Sequence, residues 1–217
     1  MSETIDKDRT ALLLVDIQPD FMPGGALAVA GGDEILVPVK ALMARDLFGL
    51  YVATQDWHPA GHVSFASSHE GREPFETIEL YDHPQTLWPD HCIQGSPGAA
   101  LHPDLPQEPI AAVIRKGMAP DSDSYSGFRN NWNPAGERPS TGLAGYLKER
   151  GIRDVVVCGL ARDVCVKWTA EDAAEAGFGV TFLWDLTRAV DAAGDERVRS
   201  DLENAGVRVI NAAELGA

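Results

Sequence analysis

VVVCGLARDVCVKWTAEDA, residues 155–173, reads as a buried strand, a turn and the start of a helix. Four apolar residues, Val155 to Cys158, run without a break; Gly159 lets the chain turn; Asp163 opens a helical pattern. Strand followed by helix is the repeating unit of a parallel α/β sheet. Five further apolar runs recur at 11–15, 50–54, 110–114, 180–183 and 207–210. They are rich in Val, Ile and Leu and lack polar alternation, the pattern expected of strands buried on both faces. Helical patterns span 33–46, 141–150, 163–176 and 195–205. Alternating strands and helices predict an α/β fold of three layers, α/β/α, around a doubly wound, mainly parallel six-stranded sheet.

A chain of 217 residues, 44% hydrophobic, is long enough for one substantial core and short for two, so one domain over 1–217 is expected. Two stretches break the alternation, at about 56–109 and 117–139. Both are crowded with Pro, Gly, His, Asn and Ser, and loops of that length in a compact domain are usually functional. The N-terminal segment MSETIDKDRT is polar and has no apolar stretch of the export type. Three irregularly spaced cysteines argue against a disulfide framework, and the expected setting is the reducing cytoplasm. A formal net charge of −15 disfavours nucleic acid and anionic membranes as partners, because phosphate backbones select basic faces. Self-association stays open.

In an open α/β sheet the ligand crevice lies beyond the carboxyl ends of the strands. Here those ends carry Asp16, Asp56 and Lys116, and the turn after 155–158 leads to Cys165. At the first turn of its helix, Cys165 is expected near free N–H groups that favour thiolate over thiol. Asp16 would accept its proton, and Lys116 would bring positive charge to the same edge, with Arg115 as the rival for that role. A second constellation consists of Asp56, His58 and His62 in DWHPAGHVSF and His91 in LWPDHC. One carboxylate with imidazoles suits a single divalent ion, zinc first, with iron or manganese as alternatives. His69, His83 and His102 read as ordinary loop histidines, and Cys92 and Cys158 as packing residues.

LLLVDIQPDF, TQDWHPAGHVSF, LWPDHCIQGSPGA, IRKGMAPDSDSYSGF and the opening segment, in that order, make the chain resemble the nicotinamidase family of the isochorismatase-like cysteine hydrolases. The resemblance runs from Leu12 to the last strand. It implies an isochorismatase-like hydrolase fold and a catalytic triad of Asp16, Lys116 and Cys165. It also implies a metal held by Asp56, His58 and His91, with His62 at a position that adds a ligand in some members. The Ala161 and Cys165 N–H groups, after a cis peptide before Ala161, would form an oxyanion hole. Phe21, Trp88 and Tyr125 match aromatic positions that flank a pyridine ring. The implied reaction is hydrolysis of nicotinamide to nicotinate and ammonia through a cysteine thioester, with pyrazinamide as a further substrate. Alternatives are a related cysteine amidohydrolase acting on N-carbamoyl, maleamate or ureido compounds, and a non-catalytic metal-binding regulator. Arg162 and Val164, beside Cys165, depart from the family pattern. Solvent is the expected place for the Arg162 side chain.

Overall fold

The computed structural model describes residues 5–216; residues 1–4, the start of the polar segment read above, and residue 217 lie outside it. Six strands form one sheet: β1 (Thr10–Val15), β2 (Leu50–Asp56), and, after a separate hairpin, β5 (Ile110–Lys116), β6 (Asp154–Leu160), β7 (Gly179–Arg188) and β8 (Arg208–Ile210). Their order is β5-β2-β1-β6-β7-β8, and every pairing is parallel. The hairpin, β3 (Thr77–Leu80) with β4 (His83–Thr86), is antiparallel and forms its own two-stranded sheet inside the long 56–109 stretch.

Apolar side chains alternate between two cores. Leu12, Leu14, Ala53, Val156 and Cys158 face one side, where α1 (Leu36–Met43) contributes Val39, Leu42 and Met43. Leu13, Val15, Val52, Val155 and Val157 face the other, covered by α2 (Leu143–Glu149), α3 (Lys167–Glu175) and α4 (Asp195–Asn204). The three-layer prediction therefore holds. Burying one leucine of the Leu12 or Leu13 kind stabilises the sheet by roughly 1.5–3 kcal/mol. The reading of all six runs as buried on both faces needs correction at the edge. β1 and β2 are buried throughout, whereas β5 alternates and leaves Val113 43% exposed. An edge strand has a neighbour on one side, so its outer face loses cover.

Chain order reverses between β1 and β6, the central pair, and the crevice opens at their carboxyl ends. Gly159 sits there with φ +124°, and a Cβ would lie 2.0 Å from the Val15 carbonyl oxygen. Only glycine lets the two backbones meet at that point.

Candidate active site and metal centre

The strand register assembles the site. Asp56 pairs directly with Lys116 across β2 and β5, and Val15, one residue before Asp16, pairs with Gly159 on β6. Three ends thus converge on one ammonium. The Lys116 Nζ lies 2.9 Å from Asp16 Oδ2 and 2.9 Å from Asp56 Oδ1, donates to the Ser124 carbonyl at 2.9 Å, and stands 3.5 Å from Cys165 Sγ. Lys116 is 1% exposed. Burial works to lower its pKa, but Asp16 and Asp56 reverse that and hold the ammonium charged, well above the ordinary lysine range. Arg115, its rival, instead stacks on Trp57 at 4.0 Å and donates to Gln55.

Asp16 has φ +47° and accepts the Thr54 hydroxyl at 2.6 Å, so strand β2 fixes its carboxylate. Burial raises its pKa against the pull of Lys116. Cys165 stands in a π-turn, Arg162–Val166, ahead of α3, and the Val164 and Val166 N–H groups both donate to the Ala161 carbonyl. The expected low-pKa thiol needs correction. Burial pushes the Cys165 thiol well above its ordinary range, Lys116 opposes this, and Asp16 adds to it. Dehydration outweighs the nearby positive charge and favours the thiol over the thiolate. The Leu160–Ala161 peptide bond is cis, as the resemblance implied.

Across Lys116 lies the imidazole cluster. Asp56 Oδ2 is 3.2 Å from His58 Nε2 and 3.4 Å from His91 Nε2, and all three side chains are buried. Each histidine is oriented through its other nitrogen: His58 Nδ1 contacts the Gly117 carbonyl at 3.0 Å, and His91 Nδ1 the Pro89 carbonyl at 2.8 Å. Carbonyls only accept, so each Nδ1 carries a proton, and each Nε2 is turned toward the Asp56 carboxylate. That is how metal-binding imidazoles are set, and the donor set fits a divalent ion. Local backbone explains the meeting. The His58 N–H donates to Cys92 O at 2.9 Å, forming a short bridge that brings residues 91–93 alongside 58, and Gln18 grips Asp56 through its N–H and carbonyl. At Gly117, φ +65°, a Cβ would lie 2.4 Å from the His58 ring.

His62 is buried beside His58, but its nitrogens are engaged: Nδ1 with Ser64 at 2.8 Å and Nε2 with the Ser122 carbonyl at 3.2 Å. Phe21, Trp88 and Tyr125 line one pocket with Asp56, His91 and Cys165. Leu27, Asp123 and Val190 also line it and escaped the sequence reading. Of these, only Asp123, a charge inside a loop of small polar residues, left any trace to follow. The other histidines stay outside the site: His69 contacts the Val63 carbonyl and His83 stacks on Trp132. Cys92 and Cys158 are buried, and burial pushes the Cys158 thiol up to about 12.

Arg162 does not reach solvent. At 7% exposure it donates through Nε to Thr187 Oγ1 at 2.9 Å, pairs with Asp195, and lies 4.1 Å over the Trp184 ring. It clamps the nucleophile's turn to β7 and α4. Truncation to alanine strands a partly buried carboxylate, and Arg162→Ala is expected to lose about 2–3 kcal/mol. For a chain of this size that lowers Tm by roughly 4–12 °C. An unchanged thermal midpoint would show the clamp to be idle.

Comparison with known proteins places these features. The isochorismatase domain matches residues 10–214, and the chain belongs to that family. It is 50% identical over 184 residues to the nicotinamidase of Acinetobacter baylyi, covering 85% of this chain and 83% of that protein. Among solved structures, PnC1 from L. infantum in complex with nicotinate shares 42% identity at a TM-score of 0.85, covering 99% of this chain and 98% of the other. The pyrazinamidase of Pyrococcus horikoshii in complex with zinc shares 35% identity at a TM-score of 0.75, covering 94% and 99%.

Proposed function

We propose that this chain is an amide hydrolase that converts nicotinamide to nicotinate and ammonia, and that one domain spanning the chain carries the activity. The observation that carries the reading is the single buried Lys116 ammonium, which joins the Asp16 and Cys165 pair to the Asp56, His58 and His91 cluster at one aromatic pocket.

Asp16, raised by burial, takes the Sγ proton as sulfur bonds to the carboxamide carbon. The Ala161 and Cys165 N–H groups receive the developing oxyanion. The proton passes from Asp16 to the departing nitrogen as the C–N bond breaks, leaving ammonia and a thioester. Water then adds to the thioester and yields its proton to Asp16, which returns it to sulfur as the C–S bond breaks. Phe21, Trp88 and Tyr125 hold the ring so that the carboxamide faces Cys165. A divalent ion on Asp56, His58 and His91, zinc by preference, would supply a Lewis-acidic anchor for the ring nitrogen. Free cysteines suit a cytoplasmic setting, and the product suits pyridine nucleotide salvage.

Ammonia release from nicotinamide by zinc-loaded and chelator-stripped protein tests this, with ureido and N-carbamoyl amides alongside. Release from nicotinamide that falls at least tenfold on stripping is expected. Turnover of a ureido or carbamoyl amide without turnover of nicotinamide would overturn the assignment.

A further inference from the structure

Asp123 has no part in the chemistry described so far, although it is 2% exposed and borders the same pocket. Oδ1 accepts the Ser124 N–H at 2.7 Å, and Oδ2 accepts the Gln85 amide N–H at 2.8 Å. Both donors are neutral. Among the described residues no Lys, Arg or His nitrogen lies within 4.0 Å of the carboxylate. Lys116, the ammonium of this site, is taken up by Asp16 and Asp56. A carboxylate this dry, held by two neutral donors, is costly unless positive charge or further hydrogen bonds reach it.

Placement says where they come from. Ligand-type atoms of His58, His62 and Asp123 all lie within 4.8 Å of one another, so the carboxylate and Asp56 share His58 as a neighbour. A carboxylate accepts at about four positions, and two here remain after Ser124 and Gln85. Each Asp123 oxygen is nevertheless held in place by an N–H, whereas Asp56 Oδ2 lies against the Nε2 atoms of both His58 and His91. We infer that Asp123 is an outer carboxylate of the metal centre, accepting a hydrogen bond from a water that completes the coordination of an ion on Asp56, His58 and His91. This rests on the metal reading above. Gln85, reaching in from β4, sets its orientation, and the Gln85 Nε2 also lies 3.0 Å from the Tyr125 hydroxyl, so the pocket wall shares the tether.

The test is metal affinity without substrate. Dissociation constants for Zn²⁺ and Mn²⁺ alone, from chelator competition, are compared for wild type, Asp123→Asn and Asp56→Asn, with thermal unfolding of each metal-free protein as control. Asp123→Asn should bind about 10–100-fold more weakly with a metal-free Tm close to wild type, and Asp56→Asn more weakly still. Asp123→Asn within twofold of wild type, while Asp56→Asn loses binding, would overturn the outer-carboxylate role and leave the centre standing. Equal affinity of wild type and Asp56→Asn would overturn the metal reading and this inference with it. Should Asp123→Asn fail to fold, Gln85→Leu frees the carboxylate without removing it, and a loss of several-fold is expected there; no loss would overturn the role.

Discussion

Cys165→Ala should lower nicotinamide hydrolysis by about 10⁴-fold or more while leaving the fold intact. Nucleophile, base and counter-ion act as one unit, so losing the sulfur forfeits nearly all of what the set contributes to the chemical step. The substitution removes one buried atom at a site 6% exposed, and packing around the π-turn rests on Val164, Val166 and the Arg162 clamp. A Tm within a few degrees of wild type is therefore expected. Affinity for nicotinate should change little, because Phe21, Trp88, Tyr125 and the imidazole cluster remain. Cys165→Ser is also expected to be nearly inactive, since an alcohol holds its proton far more tightly than a thiol. Ammonia release and isothermal titration with nicotinate read the two quantities separately. Alanine protein retaining more than about 1% of turnover would mean that the amide is attacked by something other than this sulfur.

Lys116→Met should damage both stability and turnover. Methionine keeps the length and apolar stem but removes the charge, leaving Asp16 and Asp56 facing one another in a buried site. Breaking a buried ion pair from one side costs about 3–5 kcal/mol, and here one ammonium serves two carboxylates. Thermal unfolding should drop by roughly 6–20 °C. Asp16 would relieve the repulsion by taking up a proton, which disables it as the base, and turnover should fall at least about 10³-fold in the protein that still folds. Retention of wild-type Tm would show that the two carboxylates are not both ionised around this ammonium, and wild-type turnover would remove Lys116 from the chemistry.

Much of this was legible in the chain. Fully buried strands advertise themselves by unbroken Val and Leu, so the centre of the sheet and its parallel pairing followed directly, and with them the edge where Asp16, Asp56 and Lys116 meet. β7 runs on to Arg188, five residues past its apolar stretch, because Trp184 to Arg188 face partners that only the folded chain supplies. The β3–β4 hairpin hid within a loop, since the alternation of Ile78 and Leu80 spans only four residues and the partner strand, with His83 and Pro84, has no apolar period at all. Arg162 was misplaced for a related reason. A guanidinium is buried when a carboxylate, a hydroxyl and an aromatic face converge on it, and Asp195, Thr187 and Trp184 are all more than twenty residues away in sequence. The thiol's protonation depended likewise on how dry the crevice is, which no local pattern encodes. Gln18 and Asp123 are polar residues whose importance lies entirely in what they touch.

The hairpin carries a consequence for the order in which the protein becomes competent. Its two strands pair with one another rather than with the six-stranded sheet, yet Gln85 on its second strand reaches the pocket. The sheet can thus be complete while the pocket's outer wall is still unset. Native-state hydrogen exchange should show the amides of 77–86 opening at lower free energy than those of β1 and β6. Heat or denaturant would then blunt the enzyme before unfolding it, with activity fading ahead of the loss of secondary structure.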